Sequence, residues 1–160
     1  MHRVFLGLGS NLGDREKAIS VALEEIGKVL GSIQKTSSII ETAAWGKTDL
    51  PDYLNLVVEI KTSLWPLALI DSILKLEEKL GRIRTQKWDS RLIDIDILYF
   101  NDWHFKMPKL EIPHPFIAER KFVLKPLTEI SPNFVHPICK KSNSGLLEKL
   151  ETGHDKRSTY

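Results

Sequence analysis

The sequence predicts an α+β protein built on one antiparallel sheet with helices packed on one of its faces. Three features predict it: segments with an apolar period of two, segments with an apolar period near 3.6, and their order, which reads strand, helix, strand, strand, helix, strand. Residues 3 to 8 (Arg-Val-Phe-Leu-Gly-Leu) read as a buried first strand. The glycine-rich residues 9 to 13 then turn the chain into a helix from about 14 to 30, whose apolar face is Ile19, Ala22, Leu23, Ile26 and Leu30. Strands follow at about 33 to 41 and 53 to 62; in the second, Leu54, Leu56, Val58 and Ile60 alternate with Tyr53, Asn55, Val57 and Glu59. Pro66 opens a second helix, along which Leu69, Ile70, Ile73, Leu74, Leu76 and Leu80 recur at helical spacing, and Gly81 ends it. The last core strand covers residues 92 to 99. This order is that of the ferredoxin-like βαββαβ unit. A Pro-rich extension over residues 107 to 137, a short helix near 146 to 150 and a tail expected to fray from 152 to 160 complete the chain.

With 160 residues, 42% hydrophobic and 28% charged, the chain suits a single domain spanning 1 to 160 with a core of its own. No apolar run approaches the length of a membrane span, and the amino end lacks a signal-peptide layout, so the expected location is cytoplasmic. A net charge of +2 argues against a general nucleic-acid binder, which carries a pronounced basic surface. The one cysteine, Cys139, cannot close an internal disulfide. His136 stands three residues before it with no second ligand pair nearby, so both are expected to be packing or surface residues and not zinc ligands.

The chemistry concentrates around Asp94-Ile95-Asp96. On a strand, Ile93, Ile95, Ile97 and Tyr99 point one way and the two aspartates the other, with their carboxylates roughly 6 to 7 Å apart along the strand. Hard oxygen ligands suit Mg²⁺, which takes one or two carboxylates from a protein and fills its other positions with water and substrate phosphates. Alternation by itself is also the ordinary look of a half-exposed antiparallel strand, so the neighbourhood decides. Residues 79 to 91 hold five basic side chains (Lys79, Arg82, Arg84, Lys87, Arg91) against one acidic, whereas the whole chain balances 23 against 21. The segment has no apolar period and reads as a loop whose guanidinium forks match phosphate oxygens. Two phosphate-loop imitations fail on spacing. Leu12 stands where a dinucleotide fingerprint needs its third glycine, and Glu41 stands five positions before Gly46-Lys47, where a phosphate loop needs its first.

A Trp, two residues, an Arg, two residues and Asp-apolar-Asp (Trp88, Arg91, Asp94, Asp96) form one landmark. Gly9-Ser10-Asn11-Leu12, Pro51-Asp52-Tyr53-Leu54-Asn55, Glu77 with Gly81-Arg82-Ile83-Arg84, and Pro113-His114 followed by Arg120 and Phe122 are others. Together, from about residue 4 to residue 130, they resemble the 6-hydroxymethyl-7,8-dihydropterin pyrophosphokinases of folate biosynthesis. The resemblance implies small-molecule substrates, ATP and the pterin; the expected partners include neither nucleic acid nor membrane, and the expected state is a monomer. It implies two Mg²⁺ ions on Asp94 and Asp96, with Arg82 and Arg91 reaching the transferring phosphates. Glu77, Arg84, Trp88, Ile97, Lys109, His114 and Arg120 would lie along ATP, Glu77 ordering either the nucleotide or part of the basic cluster. Thr42, Ala43, Ala44, Trp45, Tyr53, Asn55, Trp88 and Phe122 would surround the pterin, Asn55 reading its polar edge and Phe122 with a second aromatic clamping its faces. The pterin hydroxymethyl oxygen would attack the β-phosphorus of ATP and AMP would leave, while the basic loop closed as a lid.

The chain departs from the family's usual pattern at Asp89-Ser90, where Gly-Pro is common, at Ala43-Ala44 before Trp45, at Leu74, at Lys109 in place of Arg, and at Pro115. The rival reading is a non-catalytic ferredoxin-like module that binds nucleotide or RNA. An RNA-reading sheet shows exposed aromatics on its central strands, whereas this last strand shows two carboxylates. A second rival, a kinase that moves one phosphoryl group and releases ADP, is separated only by the resemblance.

Overall fold

A computed structural model describes residues 1–43, 51–81 and 92–157, with side chains described as far as 153. The sheet is formed by β1 (His2–Ser10), β2 (Ser32–Thr36), β3 (Ile40–Thr42), β4 (Tyr53–Thr62) and β5 (Asp94–Phe100), with α1 (Arg15–Val29) after β1 and α2 (Pro66–Lys79) after β4. Its order is β2-β4-β1-β5, every neighbouring pair is antiparallel, and β3 continues the β2 side against β4. This is the expected α+β arrangement, with the strand at residues 33 to 41 divided in two. The division falls at Ser37, whose backbone N–H donates to the Val57 carbonyl while its hydroxyl accepts from the Val57 N–H, both at 2.9 Å. A side chain thus replaces a ladder partner where the chain bends.

Local chemistry places the helices. Asp14 caps α1 by accepting from the Lys17 N–H at 3.1 Å. Pro66 starts α2 at a position where no intrahelical N–H is needed, and Gly81, at φ +95°, turns the chain away from its end. Ile19, Ala22 and Ile26 of α1 and Leu69, Ile73 and Leu76 of α2 are buried against Val4, Leu6, Leu8, Leu56, Val58, Ile60, Ile95 and Ile97 of the strands. Each such large aliphatic residue stabilises the fold by about 1.5–3 kcal/mol relative to exposure.

The expectation that helices occupy one face only is corrected. Beyond β5, a hairpin of β6 (Phe105–Met107) and β7 (Leu110–Ile112) and a 3-10 turn (Ile117–Glu119) lead to α3 (Lys121–Ile130) and α4 (Asn143–Arg157). Val123, Leu124 and Leu127 of α3 and Leu146 of α4 form a second core with Phe5, Val57, Leu98 and Tyr99 on the other sheet face. Interior Pro126 hides α3 from a sequence reading, since proline removes a helix hydrogen bond. Helix α4 runs well past residue 150, and residues 152 to 157 are helical where a frayed tail was expected, because Leu146, Leu147 and Leu150 anchor it to this second core.

A β-bulge corrects one further point. Between β1 and β5 the register passes from Leu6↔Ile97 to Phe5↔Tyr99, so Leu98 is an extra residue. The insertion reverses the alternation, and Tyr99 joins Leu98 in the second core instead of lining up with Ile93, Ile95 and Ile97. No helix among the described residues is long and apolar enough to cross a membrane.

Candidate active site

Helices α3 and α4 cover only the part of the second face around Phe5. Toward the end of β1 these helices leave the sheet uncovered, and two rows of residues cross it: Val57, Gly7 and Asp96, then Asn55, Gly9 and Asp94. The cavity over these rows encloses about 160 Å³ and is lined by them together with Thr42, Ala43, Tyr53, Leu98, Arg120 and Phe122. That is below the ~300–1,000 Å³ of sites for drug-sized ligands. It suits one compact ring.

The floor is made by glycine. A Cβ on Gly9 would stand 3.2 Å from Asn55 Oδ1 and 3.6 Å from Tyr53 Cδ1, and one on Gly7 would meet Leu98 at 3.4 Å. Bare backbone there lets a flat group approach the strand closely. Sequence reasoning placed Gly7 in the first strand and Gly9 in a turn and missed this role. Two glycines at period two inside an apolar strand were the available signal.

Asn55 is buried at 8% exposure, and its Nδ2 donates to Thr42 Oγ1 at 2.7 Å. Pairing β3 with β4 puts these side chains together, and the bond fixes the amide with Oδ1 beside Gly9. Across the strand, Asp94 and Asp96 are half-buried and share the cavity wall, as the period of two predicts. Arg120, which immediately precedes α3, holds its guanidinium 5.0 Å from the Phe116 ring and 5.7 Å from that of Phe122. His114 lies within the fields of both Arg120 and Asp94. Burial first and the Arg120 charge second pull its pKa down to about 4, against an opposing pull from Asp94. Its Nδ1 accepts from the Phe116 N–H at 3.2 Å, so at neutral pH Nε2 carries the proton and offers a hydrogen bond without a charge.

Thr42, Ala43, Tyr53, Asn55, Asp94, Asp96, Arg120 and Phe122 therefore meet around one cavity, with His114 beside it. Three expected residues stand apart from its lining. Ile97 is 3% exposed in the first core, so only its main chain is left to meet a ligand. Glu77 is buried in α2 and accepts from the Ile95 N–H at 2.9 Å. Lys109 is exposed in the turn of the β6–β7 hairpin. Ala44, Trp45, Arg82, Arg84, Trp88 and Arg91, and with them the lid, lie outside the described residues. His136 is buried near Tyr99 with Nδ1 accepting from the Ile138 and Cys139 N–H groups, and Cys139 is exposed.

Comparison with known proteins gives this geometry a family. The chain is 45% identical over 141 residues to the 2-amino-4-hydroxy-6-hydroxymethyldihydropteridine pyrophosphokinase of Aquifex aeolicus, covering 88% of each chain. It is 42% identical over 127 residues to the protein of the same name from Bacillus subtilis, covering 79% of this chain and 76% of that one. Among solved structures, Plasmodium falciparum HPPK-DHPS A437G superposes with a TM-score of 0.83 at 19% identity, a likeness of fold that takes in 99% of this chain but only 47% of the other. Residues 5–132 match the family described as 7,8-dihydro-6-hydroxymethylpterin-pyrophosphokinase (HPPK), and the chain belongs to that family.

Proposed function

We propose that the cavity over β1, β4 and β5 is where this enzyme, a transferase of folate biosynthesis, moves pyrophosphate from ATP to the hydroxymethyl group of 6-hydroxymethyl-7,8-dihydropterin. The observation that carries this is the row Asn55–Gly9–Asp94. An oriented amide and a carboxylate stand on the two strands flanking a glycine floor, roughly 9 to 10 Å apart by strand spacing. A bicyclic ring standing edge-on over Gly7 and Gly9 presents its polar edge to Asn55, its faces to Tyr53 and Phe122, and its one-carbon arm toward the aspartates.

The donor set at Asp94 and Asp96 fits magnesium. Two half-buried carboxylates share one strand face at the cavity wall. Among the described residues no group of three or more His, Cys, Asp or Glu closes an all-protein metal site. Magnesium commonly uses one or two carboxylates and completes its shell with water and phosphate. Bound there, two ions would neutralise charge on the triphosphate and orient it. The chain's own contribution is positioning. The floor and Asn55 hold the hydroxymethyl oxygen in line with the β-phosphorus, which converts an encounter into an intramolecular geometry. Arg120 lends positive charge at the cavity mouth, and neutral His114 donates from Nε2 to a phosphate or ribose oxygen. Arg82, Arg84 and Arg91 add guanidinium donors from the basic segment, and Trp88 bears on the pterin.

Asn55→Leu tests the pterin assignment. Loss of oriented hydrogen bonds in a buried site costs about 1–3 kcal/mol, or roughly ten- to a hundredfold in pterin KM, while the Kd of a non-hydrolysable ATP analogue stays within about threefold. Equal weakening of both substrates would place the pterin elsewhere.

A further inference from the structure

Glu77 lies in α2, on the opposite face of the sheet from the cavity, and is 1% exposed. Its Oε1 accepts from the N–H of Ile95 at 2.9 Å, and Ile95 is the residue between the two cavity aspartates. Among the described residues β5 is an edge strand of the sheet, paired with β1. Inward and outward main-chain groups alternate along an antiparallel strand. With the Ile95 N–H turned outward to Glu77, Asp94 and Asp96 are the residues whose main-chain groups face Gly9 and Gly7 on β1. Three consecutive residues of β5 are thereby fixed from both sides, two by the sheet and the middle one by α2.

Burying a carboxylate is costly unless it is well bonded, and a strand-edge amide elsewhere can be satisfied by water. An acceptor side chain committed to the N–H at the centre of the Asp-Ile-Asp segment therefore does more than fill space. We infer that Glu77 is a positioning residue: through the Ile95 amide it sets the spacing and aim of the Asp94 and Asp96 carboxylates, and so the affinity of that pair for divalent metal. This rests on the reading of the two aspartates as the metal-holding pair. It assigns Glu77 an action through β5, where the family resemblance implies that it orders the nucleotide or part of the basic cluster.

Two conservative variants separate the bond from the charge. Glu77→Gln keeps an acceptor oxygen at the same reach and loses the charge. Glu77→Asp keeps the charge and withdraws the oxygen by one methylene. The probe is Mn²⁺ titrated onto the full chain with a non-hydrolysable ATP analogue, alongside amide hydrogen exchange at Ile95. Outer partners of metal ligands alter affinity by about 10–100-fold, so Glu77→Asp should weaken Mn²⁺ binding by at least about tenfold and accelerate exchange at Ile95, with amides of β4 unchanged. Glu77→Gln should stay close to wild type in both. In steady state, Glu77→Asp should lower kcat and raise the Mg²⁺ requirement with little effect on pterin KM.

The opposite order, with Gln impaired and Asp normal, would show that the charge acts and would overturn the proposal, as would unchanged Mn²⁺ binding in Glu77→Asp. Asp94→Asn and Asp96→Asn, run in parallel, separate the two levels. If they leave Mn²⁺ binding intact, the metal site itself is misplaced. If they abolish it while Glu77→Asp does not weaken it, only the positioning role fails.

Discussion

Replacing Asp94 or Asp96 with alanine should lower kcat about a thousandfold if the pair holds metal as proposed, because losing a metal ligand removes several kcal/mol of transition-state stabilisation. Both variants should fold, since each side chain borders the cavity and neither lies in a core cluster. A variant lacking both carboxylates that kept a tenth of the activity would reduce the pair to a wetted strand face. Gly9→Ala makes a separate test of the floor. Its Cβ would press on Asn55 Oδ1 at 3.2 Å, so pterin KM should rise while the protein stays folded and nucleotide affinity holds; an unchanged KM would mean the ring does not lie on β1. The aspartates could be read from the sequence because a strand's period fixes their face. The glycines could not, because what matters about them is the space they leave, and that is defined only once β4 and β5 flank them. Ile97 shows the converse. Its side chain is committed to the core, so only its main chain remains available.

His114 gives a pH dependence at the same scale. Its folded pKa of about 4 lies below the ordinary 6.5, so between these values the unfolded chain binds more protons and stability rises with pH. The contribution is complete above about pH 6.5, declines as pH falls, and is gone near pH 4; the difference is on the order of 3 kcal/mol. Burial lowers His136 as well, which adds a slope of the same sign. Urea melts at several pH values should show a flatter profile for His114→Gln across this window. An unchanged slope would contradict the assignment.

Among the elements, β5 joins the two halves of the structure. Its first residues carry the aspartates, and the bulge at Leu98 swings Tyr99 into the second core. There the Tyr99 hydroxyl donates to Asn143 Oδ1 at 2.8 Å, and Asn143 Nδ2 donates to the Ser131 carbonyl at 2.8 Å. Tyr99→Phe leaves a fully buried Asn143 oxygen without its donor. It should destabilise the protein by about 1–3 kcal/mol, seen as a lower urea midpoint, with kcat and both KM values unchanged. A matching loss of activity would mean that the second core controls the cavity and does not merely carry it. Helices α1 and α2 were legible in the sequence because one apolar face and clear stop signals specify each. Helix α3 was not, because Pro126 contradicts a helix locally and only burial of Val123, Leu124 and Leu127 overrides it. The bulge was hidden too, since one extra residue in an apolar run leaves the composition unchanged while reversing which side each residue faces.

At the scale of the whole molecule, α1 and α2 pack on one face of the sheet, and among the described residues α3 and α4 cover the other at one end only, with the cavity over the rest. The βαββαβ order foretold the first half of that arrangement. The second half depends on the extension beyond β5, whose helices leave uncovered the stretch where Gly7, Gly9, Asn55, Asp94 and Asp96 converge. The reaction itself follows from family membership joined to this geometry, since a carboxylate pair beside a ring-sized cavity serves transfer of one phosphoryl group or of two. Incubating the protein with ATP, Mg²⁺ and 6-hydroxymethyl-7,8-dihydropterin and identifying the nucleotide released separates them. The expected result is AMP accumulating in step with pterin consumed, without ADP or free phosphate; ADP as the main product would contradict pyrophosphoryl transfer.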